Sequence, residues 1–126
     1  MPLLQTVGNE PEHYQDVHLF LDFQRKIASL DMERLRLTRK EYELLALLVQ
    51  NAGEIVARGD LLQRVWGYSD QIRTRTLDVH IRRLRKKLGQ YAELYIETIF
   101  GIGYRFQPYR AHVLPRPMAP VYAVGA

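Results

Sequence analysis

The sequence contains no cysteine, which excludes disulfide bonds, thiolate zinc sites and a cysteine nucleophile. Serine occurs only as Ser29 and Ser69, neither of which lies in the glycine-flanked pattern of a serine hydrolase. The longest aliphatic run, Leu44 to Val49, is far shorter than the roughly 20 residues that cross a bilayer. The 4 histidines are not paired at a metal-binding spacing. We therefore expect no catalytic residues, no metal, no cofactor and no membrane span, and a location in the cytoplasm.

The chain has enough residues for one folded domain. Its 126 residues include 47% hydrophobic and 25% charged residues, the proportions of a globular protein with a single core. The net charge of +4 is unevenly placed. From Arg73 to Lys87 there are seven Lys or Arg residues and one Asp, a net of +6, so the remainder of the chain carries a net of −2. This concentration predicts an anionic partner for that one segment.

The N-terminal half begins with a polar segment, residues 1–13, which we interpret as a flexible leader or the remnant of a linker. Apolar residues then alternate from Val17 to Phe23 and predict a strand. A second strand is expected from Ile27 to Leu30, and a third that holds Leu35 and Leu37. The three short strands can pair as an antiparallel meander.

At Thr38 the apolar spacing changes from two residues to 3.6, which predicts a helix. Thr38 and Glu41 have the spacing of a capping box, and Gly53 can end the helix in a left-handed conformation. A brief extended segment follows at Ile55 and Val56, and a second helix from Gly59 to Trp66 that lacks a good capping residue. The segment Gly67 to Arg73 is polar and is expected to be a loop.

The basic segment lies on the third predicted helix, which runs from the capping residue Thr74 to Leu88 and stops at Gly89. Its apolar residues are spaced 4, 3 and 4 apart and should face the core: Leu77, Ile81, Leu84 and Leu88. The outer surface is then Arg75, Thr76, Val79, His80, Arg82, Arg83, Lys86 and Lys87. A hairpin is predicted over residues 95–106, about Gly101 to Gly103, and the proline-containing tail, 108–126, is expected to be mobile.

The order of these elements describes an α+β winged helix-turn-helix: an N-terminal antiparallel sheet, three helices and a C-terminal β-hairpin wing. We assign residues 14–107 to this domain. A helix of this length and diameter fits the major groove of DNA, which is about 12 Å wide. Its arginines can bind guanine edges or phosphates, while the hairpin lies over the neighbouring minor groove or backbone. The competing interpretation is an ordinary solvated basic face.

Several stretches of sequence carry a specific resemblance. Leu37-Thr38 and Lys40 to Leu45, then Val65-Trp66-Gly67, Arg75 to Leu88 and Gly101 to Phe106 follow one another in an order that resembles the OmpR/PhoB family of transcription regulators. The resemblance covers about Val17 to Phe106. It implies a winged-helix effector domain that binds promoter DNA, commonly as a tandem pair on direct repeats, and contacts RNA polymerase. Such a domain is the output part of a two-component response regulator.

The resemblance also implies roles for individual residues. The residues that face bases are Thr76, Val79 and Arg83, and those that hold the DNA backbone are Arg75, His80, Arg82, Thr98 and Tyr104. The loop that meets the polymerase in activators corresponds to Tyr68, Ser69, Asp70 and Gln71. We expect an isolated domain of this type to be a monomer away from DNA.

The sequence departs from the family pattern at three places. Phe100 stands at the wing tip where many members have an arginine that enters the minor groove, so a charged contact there is replaced by a ring that packs or wedges. Members usually carry a receiver domain of roughly 120 residues ahead of the DNA-binding part; we expect this chain to be either an excised effector domain or a regulator that stands alone. The tail beyond Gln107 extends past the usual family end.

Two other functions are compatible with the sequence. A winged helix can act as a protein-interaction module whose basic face meets an acidic protein, and the exposed Phe100 and the tail favour that alternative. RNA binding is a weaker alternative, because the predicted strands carry no evident aromatic platform for stacked bases. Retention on sheared genomic DNA at moderate salt distinguishes DNA binding from the interaction module.

Overall fold

The computed structural model describes residues 4–7, 10–69 and 74–110. Five strands come first: β1 (Leu4–Val7), β2 (Glu10–Gln15), β3 (Leu19–Asp22), β4 (Ile27–Leu30) and β5 (Glu33–Arg34). They are followed by α1 (Arg39–Gln50), β6 (Ile55–Ala57), α2 (Arg58–Leu61) with a π-helical turn (Leu62–Trp66), and α3 (Thr76–Leu88). A 3-10 turn (Gly89–Tyr91), α4 (Ala92–Tyr95), β7 (Ile96–Ile99) and β8 (Gly103–Phe106) complete the described part.

The N-terminal sheet is larger than the sequence predicts. Strands β1 to β5 pair in chain order, each antiparallel to the next. Strand β1 and most of β2 lie within residues 1–13, the segment interpreted from the sequence as a flexible leader or the remnant of a linker. Neither strand shows the apolar alternation of a half-buried strand, so the pattern that identifies β3 could not identify them.

The third predicted strand was placed too far along the chain. The β4–β5 turn consists of Asp31 and Met32, both with positive φ (50° and 72°), and this tight two-residue turn brings Glu33 and Arg34 into the ladder. Leu35 still donates its backbone N–H to the Ala28 carbonyl at 2.9 Å, although strand geometry has ended. The turn lies where the sequence places the break between the second and third strands, although it lacks the glycine that usually accepts positive φ.

Helix α1 begins as the sequence predicts. The Thr38 hydroxyl accepts the Glu41 N–H at 3.1 Å, and the Glu41 carboxylate accepts the Thr38 N–H at 2.9 Å, which closes the capping box. Glu41 is almost fully buried, and Lys87 on α3 donates to it at 2.6 Å. Burial by itself would raise the pKa of Glu41, but the bonds from Lys87 and Thr38 outweigh it and hold the pKa below the usual range.

The second helix is short and changes geometry. It begins after Ala57, which provides no side-chain cap, and its α-helical turn becomes a π-helical turn that ends at Gly67 with φ 76°. The extended segment predicted at Ile55 and Val56 is β6, which pairs with β8 inside a second sheet of order β6-β8-β7. This pairing joins the hairpin to the middle of the chain.

The C-terminal elements differ from prediction at their ends. Helix α3 starts at Thr76, two residues later than expected, and Thr74 accepts the Thr76 N–H at 3.1 Å. Tyr95 is the last residue of α4 and is fully buried, so the strand begins only at Ile96. Residues after Arg110, and with them most of the predicted mobile tail, lie outside the described part of the chain.

The core joins both sheets to the helices. The four apolar residues predicted on α3 are all buried, and they pack with Leu44, Leu45, Leu48 and Val49 of α1. On the other side of the core, the Tyr95 ring stacks on Phe106 and the Phe106 ring meets the edge of Tyr14. Asp16 ties these layers together, because its carboxylate accepts the hydroxyls of both Tyr14 and Tyr95. The core therefore holds α3 with its basic side outward.

Candidate nucleic-acid interface

Helix α3 has two opposed faces. One is the buried apolar stripe, and the other carries the side chains of Arg75, Arg82, Arg83 and Lys86, which we call the basic face. All four are exposed. Within the described residues, no carboxylate forms an ion pair with Arg82, Arg83 or Lys86. These three cations are available to bind an anion without first breaking an ion pair in that part of the protein.

The three predicted base-contacting residues share this face. Thr76 and Val79 are half-buried near the N-terminal end of α3, and Arg83 lies one turn further along and is exposed. The Thr76 hydroxyl lies 2.8 Å from the Thr74 hydroxyl. At 1.5 Å per residue, Thr76 and Arg83 are roughly 10 Å apart along the helix axis, a spacing of about three base pairs. The three predicted base-contacting residues thus offer two small side chains and one long donor.

Lys87 is exposed on the outer side of α3, as predicted, but its ammonium group has partners within the protein. Its ammonium donates to the buried Glu41 carboxylate and, at 2.7 Å, to the Arg36 carbonyl. These bonds turn the side chain toward α1, because an uncompensated buried carboxylate is costly. Helical spacing groups Lys87 with the other outer residues, and only its contacts with Glu41 and Arg36 show that its ammonium is turned toward α1.

His80 occupies the same flank of α3 as Lys87. Its Nδ1 donates to the Thr76 carbonyl at 2.8 Å, and its ring meets the Trp66 ring edge-on with centroids 4.8 Å apart. These contacts orient the half-buried imidazole and leave Nε2 without a hydrogen-bond partner among the described residues. Because Nδ1 is the donor to Thr76, Nε2 can donate to a phosphate only in the imidazolium form, which has an N–H at both nitrogens. The structure also explains Trp66, which packs against the core as a partly buried residue.

The other flank of α3 is joined to the hairpin through Asp78. The Arg58 guanidinium donates to Asp78 Oδ1 at 2.6 Å, and the Tyr104 hydroxyl donates to the same oxygen at 2.8 Å. Burial alone would raise the pKa of Asp78, but these two bonds prevail and hold the pKa below its usual range. We call these three residues the Asp78 cluster. It ties α2, α3 and β8 together at the N-terminal end of the basic face.

Tyr104 and Thr98, both predicted to contact the DNA backbone, have partners within the protein. Tyr104 is buried and its hydroxyl is used by the Asp78 cluster. Thr98 accepts a hydrogen bond at 2.6 Å from Arg85, which also donates to the Ile96 carbonyl at 2.9 Å. Arg85 is the cation of the basic segment that faces the hairpin, and its guanidinium lies 5.8 Å from the centre of the Tyr104 ring.

Sequence reasoning missed the structural roles of Arg58, Asp78 and Arg85. Asp78 could have been noticed, since it is the one acidic residue in the basic segment. Arg58 carried no such signal, because its partner is twenty residues away. Arg85 belongs to a run of basic residues; helical spacing leaves it off the outer surface, but its partners on β7 become visible only in the structure.

The hairpin tip, Phe100 to Ile102, is the turn between β7 and β8. Phe100 is 90% exposed and Ile102 is 52% exposed. Gly101 has φ 79°, a conformation that favours glycine, and Ile102 donates its N–H to the Ile99 carbonyl at 2.9 Å. The cation of the hairpin, Arg105, is paired with Glu97 at 2.9 Å. The tip therefore presents apolar surface on a neutral hairpin.

The loop predicted to meet a polymerase is only partly described. Tyr68 is partly buried and packs against the core, while Ser69 is exposed. Asp70 and Gln71 lie outside the described residues. Across the residues that are described, no group of three or more His, Asp or Glu side chains could hold a metal ion. None of the helices in that same part is long and apolar enough to span a bilayer.

The sequence of this chain is similar to those of known transcriptional regulators. Residues 32–106 match the family model described as transcriptional regulatory protein, C terminal. A probable transcriptional regulator, ycf27 of Cyanophora paradoxa, is 42% identical over 110 residues, which cover 84% of this chain and 46% of that protein. The chain thus spans less than half the length of this curated relative.

Solved structures agree with the family match. The DNA-binding domain of Klebsiella pneumoniae RstA, crystallised with the RstA box, superposes with a TM-score of 0.72 at 31% identity, over 78% of this chain and 99% of that one. The Thermotoga maritima response regulator DrrB, an OmpR/PhoB homologue, gives a TM-score of 0.70 at 33% identity, over 78% of this chain and 45% of that one. Each similarity covers more than three quarters of this chain.

Proposed function

The chain belongs to the family of C-terminal domains of transcriptional regulatory proteins, of the OmpR/PhoB type, and we propose that it binds double-stranded promoter DNA with α3 in the major groove. Its fold is the winged helix of that family. The observation that carries the proposal is the basic face, where Arg82, Arg83 and Lys86 are exposed and have no ion-pair partner among the described residues. Binding duplex DNA gives each of these cations a phosphate or a guanine edge.

The proposed contacts fall into two classes. Thr76, Val79 and Arg83 contact base edges, with Arg83 donating to guanine or another acceptor and the two smaller residues meeting thymine methyl groups. Arg75, Arg82 and His80 bind phosphates and set the position of the helix in the groove. Lys86 joins them from the C-terminal half of α3. Tyr104 and Thr98 support the hairpin from within, so their contribution to binding is indirect.

The wider role of the protein is also proposed. Relatives of greater length include response regulators, and we infer that this domain is the output part of a two-component system. On direct repeats two copies bind in tandem, while the domain alone is a monomer, and the loop with Tyr68, Ser69, Asp70 and Gln71 contacts RNA polymerase. The protein then acts in the cytoplasm, where it meets promoter DNA, and has no enzymatic activity of its own.

Selection from a random duplex library tests the central proposal. We expect enrichment of a half-site, repeated at about one helical turn, and an Arg83→Ala variant that enriches a blurred version of it. Arg82→Ala should weaken binding to enriched and random duplexes alike. If wild-type protein enriches nothing and sheared genomic DNA is not retained at moderate salt, the domain is an interaction module and the proposal is wrong.

A further inference from the structure

The hairpin tip lies beside the N-terminal end of α3. The Ile102 carbonyl accepts the Arg58 N–H at 2.9 Å, and the Arg58 side chain in turn binds Asp78 on the first turns of α3 at 2.6 Å. Two hydrogen bonds through one residue therefore connect the tip to the helix end that carries Arg75, Thr76 and Val79. This short, partly buried link fixes the position of the tip relative to that end of the helix.

The backbone of the tip is firmly seated. A Cβ on Gly103 would overlap the Val56 carbonyl oxygen and lie 2.9 Å from the Ala57 Cα, so β8 packs against β6 with no space between them. The exposed ring of Phe100 is therefore carried by a turn whose backbone is held in place by the packing of β8 against β6. An exposed aromatic side chain on a rigid support is costly in water and gains most by inserting into an apolar environment.

The chemistry of the tip differs from that of the basic face. The described hairpin holds one carboxylate and one guanidinium, Glu97 and Arg105, and these bind each other. Within residues 96–106 no free cation is left to be drawn by the negative potential of a narrow minor groove. Contact between this tip and DNA must therefore come from the ring of Phe100 and the side chain of Ile102.

We propose that Phe100 is an apolar wedge that enters the minor groove next to the segment bound by α3 and inserts at a flexible pyrimidine–purine step. Apolar side chains that insert between base steps unstack them and kink the duplex toward the major groove. Pyrimidine–purine steps resist this least, so the tip contributes specificity through the deformability of the DNA. This inference rests on the proposed function, because it takes the DNA-bound orientation of α3 as its frame.

The test uses the duplex that wild-type protein enriches from a random library, with 2-aminopurine placed in turn at each position flanking the half-site. The fluorescence of this base analogue rises when it is unstacked. We expect wild-type protein to raise the signal at one step, and Phe100→Ala to abolish the rise and to lose about tenfold in affinity. Phe100→Leu, which keeps an apolar side chain, should retain part of both effects.

Two controls distinguish insertion of the Phe100 ring from a loss of stability and from a charged contact. Because Phe100 is 90% exposed, Phe100→Ala should leave the melting temperature unchanged. Phe100→Arg should bind without unstacking and should favour a narrow, A·T-rich groove instead of a flexible step. Enrichment of a half-site without any step at which fluorescence depends on Phe100 would overturn the wedge and leave the proposed function standing. Failure to enrich any duplex would overturn both.

Discussion

The basic face of α3 and the hairpin tip lie close together but differ in what they expose: cations on the helix and apolar side chains on the tip. Arg82, Arg83 and Lys86 are held outward by a buried stripe on the same helix and find no carboxylate partner among the described residues. The cation of the hairpin, Arg105, is paired with Glu97, and the tip exposes a phenyl ring. A surface for DNA can thus combine charged contacts from the basic face, which salt screens, with an apolar contact from the tip, which salt does not screen.

The largest effect is expected from a substitution that displaces β8 and with it the hairpin tip. Gly103→Ala places a Cβ against the Val56 carbonyl, and we expect a loss of about 3 kcal/mol in the free energy of unfolding, since the backbone must shift. Chemical denaturation measures this loss. Gly101→Ala is the matched control, because its positive φ costs only about 1 to 2 kcal/mol and nothing lies within 4 Å of the new Cβ. Equal losses would show that β8 is not tightly seated.

Removing a base contact should have the next largest effect. Arg83→Ala is expected to cost about 1 to 3 kcal/mol in binding to the selected duplex, and little in binding to a scrambled one. Fluorescence anisotropy on the two duplexes gives both values. Arg25→Ala serves as the control, because it removes the same charge from the exposed β3–β4 turn of the N-terminal sheet. A similar loss for Arg25→Ala would assign the effect of Arg83 to net charge.

The salt dependence of binding should differ between variants of the basic face and variants of the hairpin tip. Arg82→Ala should reduce the slope of log K against log salt by about 0.9, the value for one phosphate contact. Phe100→Ala should lower affinity by the same factor at every salt concentration and leave the slope unchanged. Titrations at four or more salt concentrations test this. A change of slope in Phe100→Ala would mean that the tip acts through the electrostatics of the DNA backbone.

The smallest expected effect comes from the Asp78 cluster. Asp78→Asn should lower the free energy of unfolding at neutral pH by no more than about 1 kcal/mol, because solvent screens this partly exposed pair. The pKa of Asp78 is lower in the folded protein than in the unfolded one. Its stabilisation is therefore present above the ordinary carboxyl pKa of about 3.9 and is lost as pH falls below it toward the folded value.

Thermal denaturation of wild type and Asp78→Asn over a pH series measures this difference. The two melting temperatures should converge as the pH is lowered from about 6 through that range. A difference that stays constant with pH would indicate a packing effect of the substitution, with no contribution from the charge of Asp78.

Local signals in the sequence were enough to predict much of this fold. The capping box at Thr38 and Glu41 and the spacing of the α3 stripe depend only on neighbours within one or two turns of helix, and both are confirmed. The winged-helix architecture followed from the order of such elements. Strands β1 and β2 were missed because their sequences lack alternation, and the third strand was placed too late because β5 is only two polar residues long.

The candidate site was predictable to a smaller extent. The helical wheel identifies the outer side of α3, but it cannot distinguish Arg83, which has no ion pair among the described residues, from Lys87, which is bound to Glu41. Nor can it show that Arg85 is held by the hairpin or that Tyr104 is committed to Asp78. Each of these bonds joins residues that are far apart in the sequence, and contacts of that kind arise only when the elements pack together.

Directed cleavage of DNA tests most directly whether the basic face of α3 and the hairpin tip bind adjacent grooves. Because the chain contains no cysteine, a single introduced thiol can carry an iron–EDTA group at one chosen position. Thr76→Cys, Ile102→Cys and the control Arg25→Cys place that group on α3, on the hairpin tip and on the N-terminal sheet. We expect major-groove cleavage from residue 76, minor-groove cleavage about half a helical turn away from residue 102, and little from residue 25. Strong cleavage from residue 25 with none from residue 76 would contradict this expectation.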